Sequence, residues 1–264
     1  MLLKRIFTSL IFIPILLFAI FTNYKIPFYI LVQGVIILGM WEFFKFSKVK
    51  DDNSQIFLGI LGGLLLSLSF FIFISTKLIL SIILLATLLN SLFKDRIEGA
   101  ISSCAVTILG IIYISWNLSH LLLIKELVQG KEILFLLFVV TWMSEVFAYG
   151  FGTLLGKHKL VSCISPNKTM EGFIAGIIGS VIFSFVIKYF FLRDLPFHNI
   201  IIIGVLLGIW GQLGDLVESL FKRDAGVKDS GNTIPGHGGV LDVFDGVIFN
   251  APLLYYLVKY FKCG

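Results

Sequence analysis

Apolar residues in this chain come in long runs rather than in alternation, and short polar clusters separate the runs. The pattern predicts nine helical segments, near 6–23, 27–46, 56–75, 78–93, 100–124, 133–155, 172–192, 200–220 and 240–261. A helix needs roughly 20 apolar residues to cross a hydrocarbon core about 30 Å thick. Lipid offers the backbone no hydrogen-bond partners, so only helices and closed barrels cross it. Without period-two alternation the barrel falls away. The expected fold class is an all-α, polytopic membrane protein with about nine transmembrane helices. The fourth run is short enough to be re-entrant. Asn117 and His120, near one end of the fifth, predict a bend or a polar-lined face.

Composition agrees. Hydrophobic residues make up 58% of the chain and charged residues 14%. Soluble domains carry about 25% charge, so this chain has too little to cover a water-facing surface. The net charge of +5 is modest, and no dense basic stripe interleaves with aromatics. Nucleic acid is therefore not an expected partner, whereas the lipid bilayer is. Cys104, Cys163 and Cys263 lack CxxC spacing, and neither a disulfide framework nor a zinc site is expected. Lys4 and Arg5 before Ile6–Phe21 mimic a signal peptide, but no small-residue cleavage site follows, so the segment reads as a retained first span.

Loop charge sets the expected orientation. With the N-terminus in the cytoplasm, 13 of the 21 Lys and Arg residues fall inside and 8 outside. The bias follows the positive-inside rule. It puts two polar loops, 156–171 and 221–239, in the cytoplasm. Composition shifts near residue 140, where acids enter the spans and glycines multiply. Residues 1–132 are expected to be a transmembrane scaffold, and 133–264 the catalytic region carrying both loops.

The acids point to chemistry. Glu145, Asp215, Glu218, Asp242 and Asp245 fall within or at the ends of predicted spans. A carboxylate at bilayer depth costs at least ~2.5 kcal/mol, so it marks a cavity, an ion or a partner. Asp215 and Glu218 are spaced i, i+3, as are Asp242 and Asp245, which puts each pair on one helix face. Carboxylates sharing a wet pocket repel unless a cation lies between them. An all-oxygen set suits Mg²⁺, completed by substrate phosphates. The competing reading pairs the acids with Lys222 or Arg223, or leaves them at the interface. Four acids flanking one basic, glycine-rich loop favour the metal.

That loop runs from Lys222 and Arg223 through Lys228, Asp229, His237, Gly238 and Gly239. Lys and Arg bind phosphate, glycines let backbone N–H groups approach an anion, and the helix start near Val240 adds a favourable dipole. In the other loop, Ser165 with Pro166 reads as an N-cap and a first helical residue. Lys168 and Thr169 would then face a phosphate at that helix start, although capping plus loop charge explains the same residues equally well.

The stretch from Gly214 to Asp245 resembles the signature of the phosphatidate cytidylyltransferase (CDP-diacylglycerol synthase) family. The matching residues are Ser219, Lys222-Arg223, Lys228-Asp229, His237-Gly238-Gly239, Asp242 and Asp245. Gly156-Lys157 and Ser165-Pro166-x-Lys168-Thr169-x-Glu171-Gly172 resemble a second family segment. Two positions depart from the pattern: Val243 stands where the family has arginine, and Glu145 where it has aspartate.

The resemblance implies transfer of a cytidylyl group from CTP to phosphatidate, giving CDP-diacylglycerol and pyrophosphate in phospholipid biosynthesis. It implies Mg²⁺ on Asp215, Asp242 and Asp245, with a second cation as an option. Lys168, Lys222, Arg223 and Lys228 would meet phosphates. Ser219 and His237 would shape the pocket, with Ser165, Thr169, Asp229, Gly238 and Gly239 beside them. A bacterial inner membrane is the expected location, and a homodimer stays open. The alternatives are a CTP-dependent lipid kinase, a cytidylyltransferase for another lipid phosphate, a non-catalytic homologue, and a cation-coupled transporter.

Overall fold

Long apolar runs become helices because a helix satisfies every backbone N–H and C=O within the segment. The structure is a computed structural model and describes residues 2–47, 55–93, 97–236 and 238–263, with side chains between Thr8 and Phe261. His237, Lys48, Lys50, Lys94 and Arg96 lie outside the described residues, as do the side chains of Lys4, Arg5, Lys262 and Cys263. The elements run α1 (Leu2–Phe21), α2 (Lys25–Ser47), α3 (Ile56–Phe71), α4 (Thr76–Leu92), α5 (Ala100–Gly110), a π-helical turn (Ile111–Trp116), α6 (Asn117–Lys125), α7 (Gly130–Leu155), β1 (Lys159–Val161), β2 (Ser165–Thr169), α8 (Met170–Phe191), α9 (Phe197–Asp224) and α10 (Leu241–Cys263).

From α5 through α6 the chain is one continuous rod, Ala100–Lys125. The described residues thus hold nine rods, one for each predicted run. Six are long and apolar enough to cross a membrane, while Thr8–Phe21, α3 and α4 are shorter apolar helices. At ~1.5 Å per residue, the 17 residues of α4 reach only about 25 Å, short of a full crossing. Contacts divide the chain into two compact units: residues 1–123 with 224–243, and residues 124–223 with 244–264.

In the first unit, the irregularity expected in the fifth run is the π turn. Side chains crowd its carbonyls: Asn117 Nδ2 donates to Tyr113 O (3.0 Å), Ser119 Oγ to Ser115 O (2.6 Å), and His120 Nδ1 lies 2.9 Å from Trp116 O. Such back-bonding loosens regular α-helical pairing. Ser115 Oγ also donates to Gly63 O of α3 at 2.5 Å.

In the second unit, small residues let helices approach, as in other membrane bundles. Ser180 of α8 donates to Gly204 O of α9 at 2.7 Å. A Cβ at Gly208 would come 3.0 Å from Ile177 Cα. Asn250 of α10 donates to Thr141 Oγ1 of α7 (2.9 Å) and to Leu207 O of α9 (3.1 Å). This close packing is what the glycine-rich half of the sequence builds.

The loop 156–171 departs from expectation. Ser165 is not an N-cap, and Pro166 does not open a helix. Both lie in β2, which pairs antiparallel with β1, Val161 opposite Ser165 and Lys159 opposite Thr169. Proline is tolerated there because a two-stranded sheet is all edge. The helix begins later: Thr169 is extended and its Oγ1 accepts from Gly172 N at 3.2 Å, making Thr169 the N-cap of α8. Glu171 closes the neck of the hairpin, accepting from Lys157 N (3.1 Å) and His158 N (3.2 Å), with His158 Nδ1 at 2.6 Å.

Candidate active site

Asp215, Glu218 and Asp245 converge in the second unit, each offering a carboxylate oxygen, all within 4.8 Å of one another. The i, i+3 spacing puts Asp215 and Glu218 on one face of α9. Gly214 brings α10 against that face, since a Cβ there would lie 2.6 Å from Asp245 O. Glu218 and Asp245 are buried, and Asp215 is the more open member. Asp245 Oδ1 also accepts from its neighbour Gly246 N at 2.5 Å.

Two lysines balance part of this charge. Lys168 Nζ, at the end of β2, lies 2.6 Å from Asp215 Oδ2. Lys222, one turn beyond Glu218 on α9, is buried and ion-paired with it. Ser219 Oγ donates weakly to Asp215 Oδ1 at 3.4 Å. Glu145 of α7 borders the group: a Cβ on Gly246 would meet its Oε1 at 3.3 Å, and its charge interacts with those of Asp215 and Lys168.

Asp242 has a different setting, in the first unit. Its Oδ2 accepts from Gly239 N (2.7 Å), Ser230 N (3.1 Å) and Ser230 Oγ (2.9 Å). Beside it, Glu42 of α2 accepts from Val240 N (2.8 Å) and Leu241 N (3.0 Å) and is 3.1 Å from Ser230 Oγ. The positive end of α10, which the sequence offers to a phosphate, is therefore filled by the protein's own carboxylate. Glu42 does not figure among the acids singled out from the sequence. The signal was there: a lone acid inside an apolar helix.

Arg223 Nε donates to Ile164 O at 3.2 Å, tying α9 to the hairpin. Ser165 is half-buried in β2 and Thr169 is spent on its cap. Lys228 is exposed, and Asp229 lines a cavity of about 550 Å³ with Trp41, Lys45, Ser230 and Thr233. Gly238 has φ +102°, a backbone that favours glycine, and its N–H and C=O pair with Ile234.

A chain with six helices long and apolar enough to cross a membrane is an integral membrane protein. The chain matches the Cytidylyltransferase family over residues 3–261. It is 35% identical to a phosphatidate cytidylyltransferase of Bacillus subtilis (strain 168) over 98% of each chain. It is 50% identical to one from Staphylococcus haemolyticus over 49% of this chain and 50% of that protein, and 48% identical to one from Staphylococcus aureus (strain COL) over the same shares. The matches to the staphylococcal relatives thus span about half of their length. This chain belongs to the cytidylyltransferase family.

Proposed function

We propose that the chain is a phosphatidate cytidylyltransferase that joins CTP and phosphatidate into CDP-diacylglycerol and releases pyrophosphate. The observation that carries the reading is the Asp215–Glu218–Asp245 cluster with Lys168 and Lys222 at its edges, in a chain of this family. A lipid phosphate oxygen attacks the α-phosphorus of CTP, the bond to the β-phosphate oxygen breaks, and pyrophosphate leaves. Catalysis of this kind is mostly positioning and charge neutralisation.

The residues present fit Mg²⁺. Opposite oxygens of an octahedral Mg²⁺ site lie about 4.2 Å apart, twice a bond of ~2.1 Å, so oxygens within 4.8 Å need only a small side-chain movement. A second cation would have to arrive with substrate phosphates. Bound there, Mg²⁺ would neutralise charge on the transferring phosphoryl group. Lys168 and Lys222 would orient phosphate oxygens beside the carboxylates. Asp242, through Ser230 and Gly239, would hold the basic loop in shape. The reading includes a bacterial inner membrane, with loops 156–171 and 221–239 on the cytoplasmic side.

The test is incubation of purified protein with Mg²⁺, phosphatidate and CTP labelled in the cytosine. Label entering the lipid together with equimolar pyrophosphate, abolished by EDTA, supports the proposal. CDP in place of pyrophosphate means a lipid kinase. No transfer from folded protein overturns the reading for phosphatidate.

A further inference from the structure

We propose that Glu42 is a positioning residue for the signature loop, fixing Ser230, Val240 and Leu241 through hydrogen bonds within the first unit. The proposal rests on the transferase reading above, and its test separates the two.

Glu42 lies in the helix the sequence marks as scaffold, yet its side chain is fully buried, at 0% exposure. A carboxylate in such a place needs donors, because leaving it unpaired is among the most costly defects a core can carry. Among the described residues its donors come from the far end of the chain, Val240 N to Oε1 and Leu241 N to Oε2, with Ser230 Oγ 3.1 Å from Oε2. The two backbone donors belong to the N-terminus of α10, whose first N–H groups have no partner within their own helix.

The loop is shaped around this carboxylate. A Cβ on Gly231 would come 3.0 Å from Glu42 Oε1, and one on Gly239 would collide with Oε2. Glycine at 231 and 239 is what lets the backbone pass so close. Ser230 lies within hydrogen-bond distance of both Glu42 Oε2 (3.1 Å) and Asp242 Oδ2 (2.9 Å). One hydroxyl therefore links the α2 acid to the signature acid. Between Ser230 and Val240 lie Asn232 and the glycine turn that carries Gly236 and Gly238 at positive φ. Glu42 pins both ends of that segment, so its carboxylate controls the geometry with which the loop meets a nucleotide phosphate.

Glu42→Gln keeps the size but turns one acceptor into a donor, which then faces an N–H or the Ser230 hydroxyl. Two readouts test the proposal in full-length protein purified in detergent. Hydrogen exchange follows the amides of Val240 and Leu241, and steady-state kinetics vary CTP and phosphatidate separately. The expected result is exchange at 240–241 at least tenfold faster, with exchange in the middle of α10 unchanged. With it, kcat/KM for CTP falls about tenfold or more, the scale of one lost hydrogen bond to a charged group, carried by a higher KM for CTP. The KM for phosphatidate stays within twofold. Should Glu42→Gln fail to fold, Ser230→Ala removes a single donor, and a three- to tenfold rise in the KM for CTP is expected. Unchanged exchange at 240–241 overturns the proposal. So does a loss of turnover at unaltered KM for CTP, which a smaller folded fraction would produce. Wild-type protein that transfers no cytidylyl group refutes the transferase reading instead, and the exchange result still decides whether Glu42 holds the loop.

Discussion

Lys168 Nζ and Asp215 Oδ2 lie 2.6 Å apart, and this ion pair joins the end of β2 to α9. Both side chains keep nearly a third of their surface exposed, while the Lys168 Nζ atom that makes the pair is itself buried. Glu218 and Lys222, one turn further along α9, are buried.

Replacing Lys168 with Met should therefore harm catalysis far more than stability. A partly exposed ion pair contributes about 1 kcal/mol or less, so thermal unfolding in detergent should shift little. Loss of a cation aimed at developing negative charge costs on the order of 10²-fold in turnover. Labelled-CTP transfer and a melting curve on the same preparation check both halves. Wild-type transfer would remove Lys168 from the mechanism.

The acids can be sorted by Mg²⁺ titration. Asp215→Asn, Glu218→Gln and Asp245→Asn should each raise the Mg²⁺ concentration for half-maximal activity at least tenfold. Asp242→Asn should lower turnover with the Mg²⁺ midpoint unmoved, because Asp242 Oδ2 is engaged by Ser230 and Gly239. A shifted midpoint in Asp242→Asn would put that residue in the metal set, as the family signature implies.

Packing between α8 and α9 depends on absent side chains. Gly208→Val should destabilise by about 1–3 kcal/mol, the usual cost of overpacking a core. Even its Cβ would press on Ile177 Cα and on the Ser180 hydroxyl. Loss of monodispersity at lower temperature, followed by gel filtration of heated samples, is the measurement. Gly34, whose Cβ would meet nothing within 4 Å, supplies the control as Gly34→Ala.

Val243 occupies the second position of the family's Asp-Arg-x-Asp signature. Val243→Arg restores a guanidinium able to grip phosphate in two-pronged fashion. The expected outcome is kcat/KM for CTP equal to or above that of the unmodified protein. A fall would mean that the chain has rebuilt its phosphate contacts around valine.

Much of the architecture was legible because lipid simplifies the code. Each apolar run had to become a helix, and Asn117 and His120 announced the irregular fifth rod through their short side-chain reach to the backbone. The i, i+3 pairing of Asp215 and Glu218 was likewise readable, since helix geometry alone puts both on one face. The hairpin was not. Ser165-Pro166 satisfies the pattern for a helix start, and only its pairing with Lys159–Val161 makes it a strand.

The sequence by itself determined the spans, the placing of acids within them and the two polar loops, because those follow from local hydropathy and helical spacing. Only the tertiary structure decided which acids meet. Asp245 joins Asp215 and Glu218 because Gly214 lets two backbones touch. Glu42 reaches the start of α10 because folding brings residues 198 positions apart into one buried site. Such pairings depend on packing between distant helices, and no local periodicity encodes them.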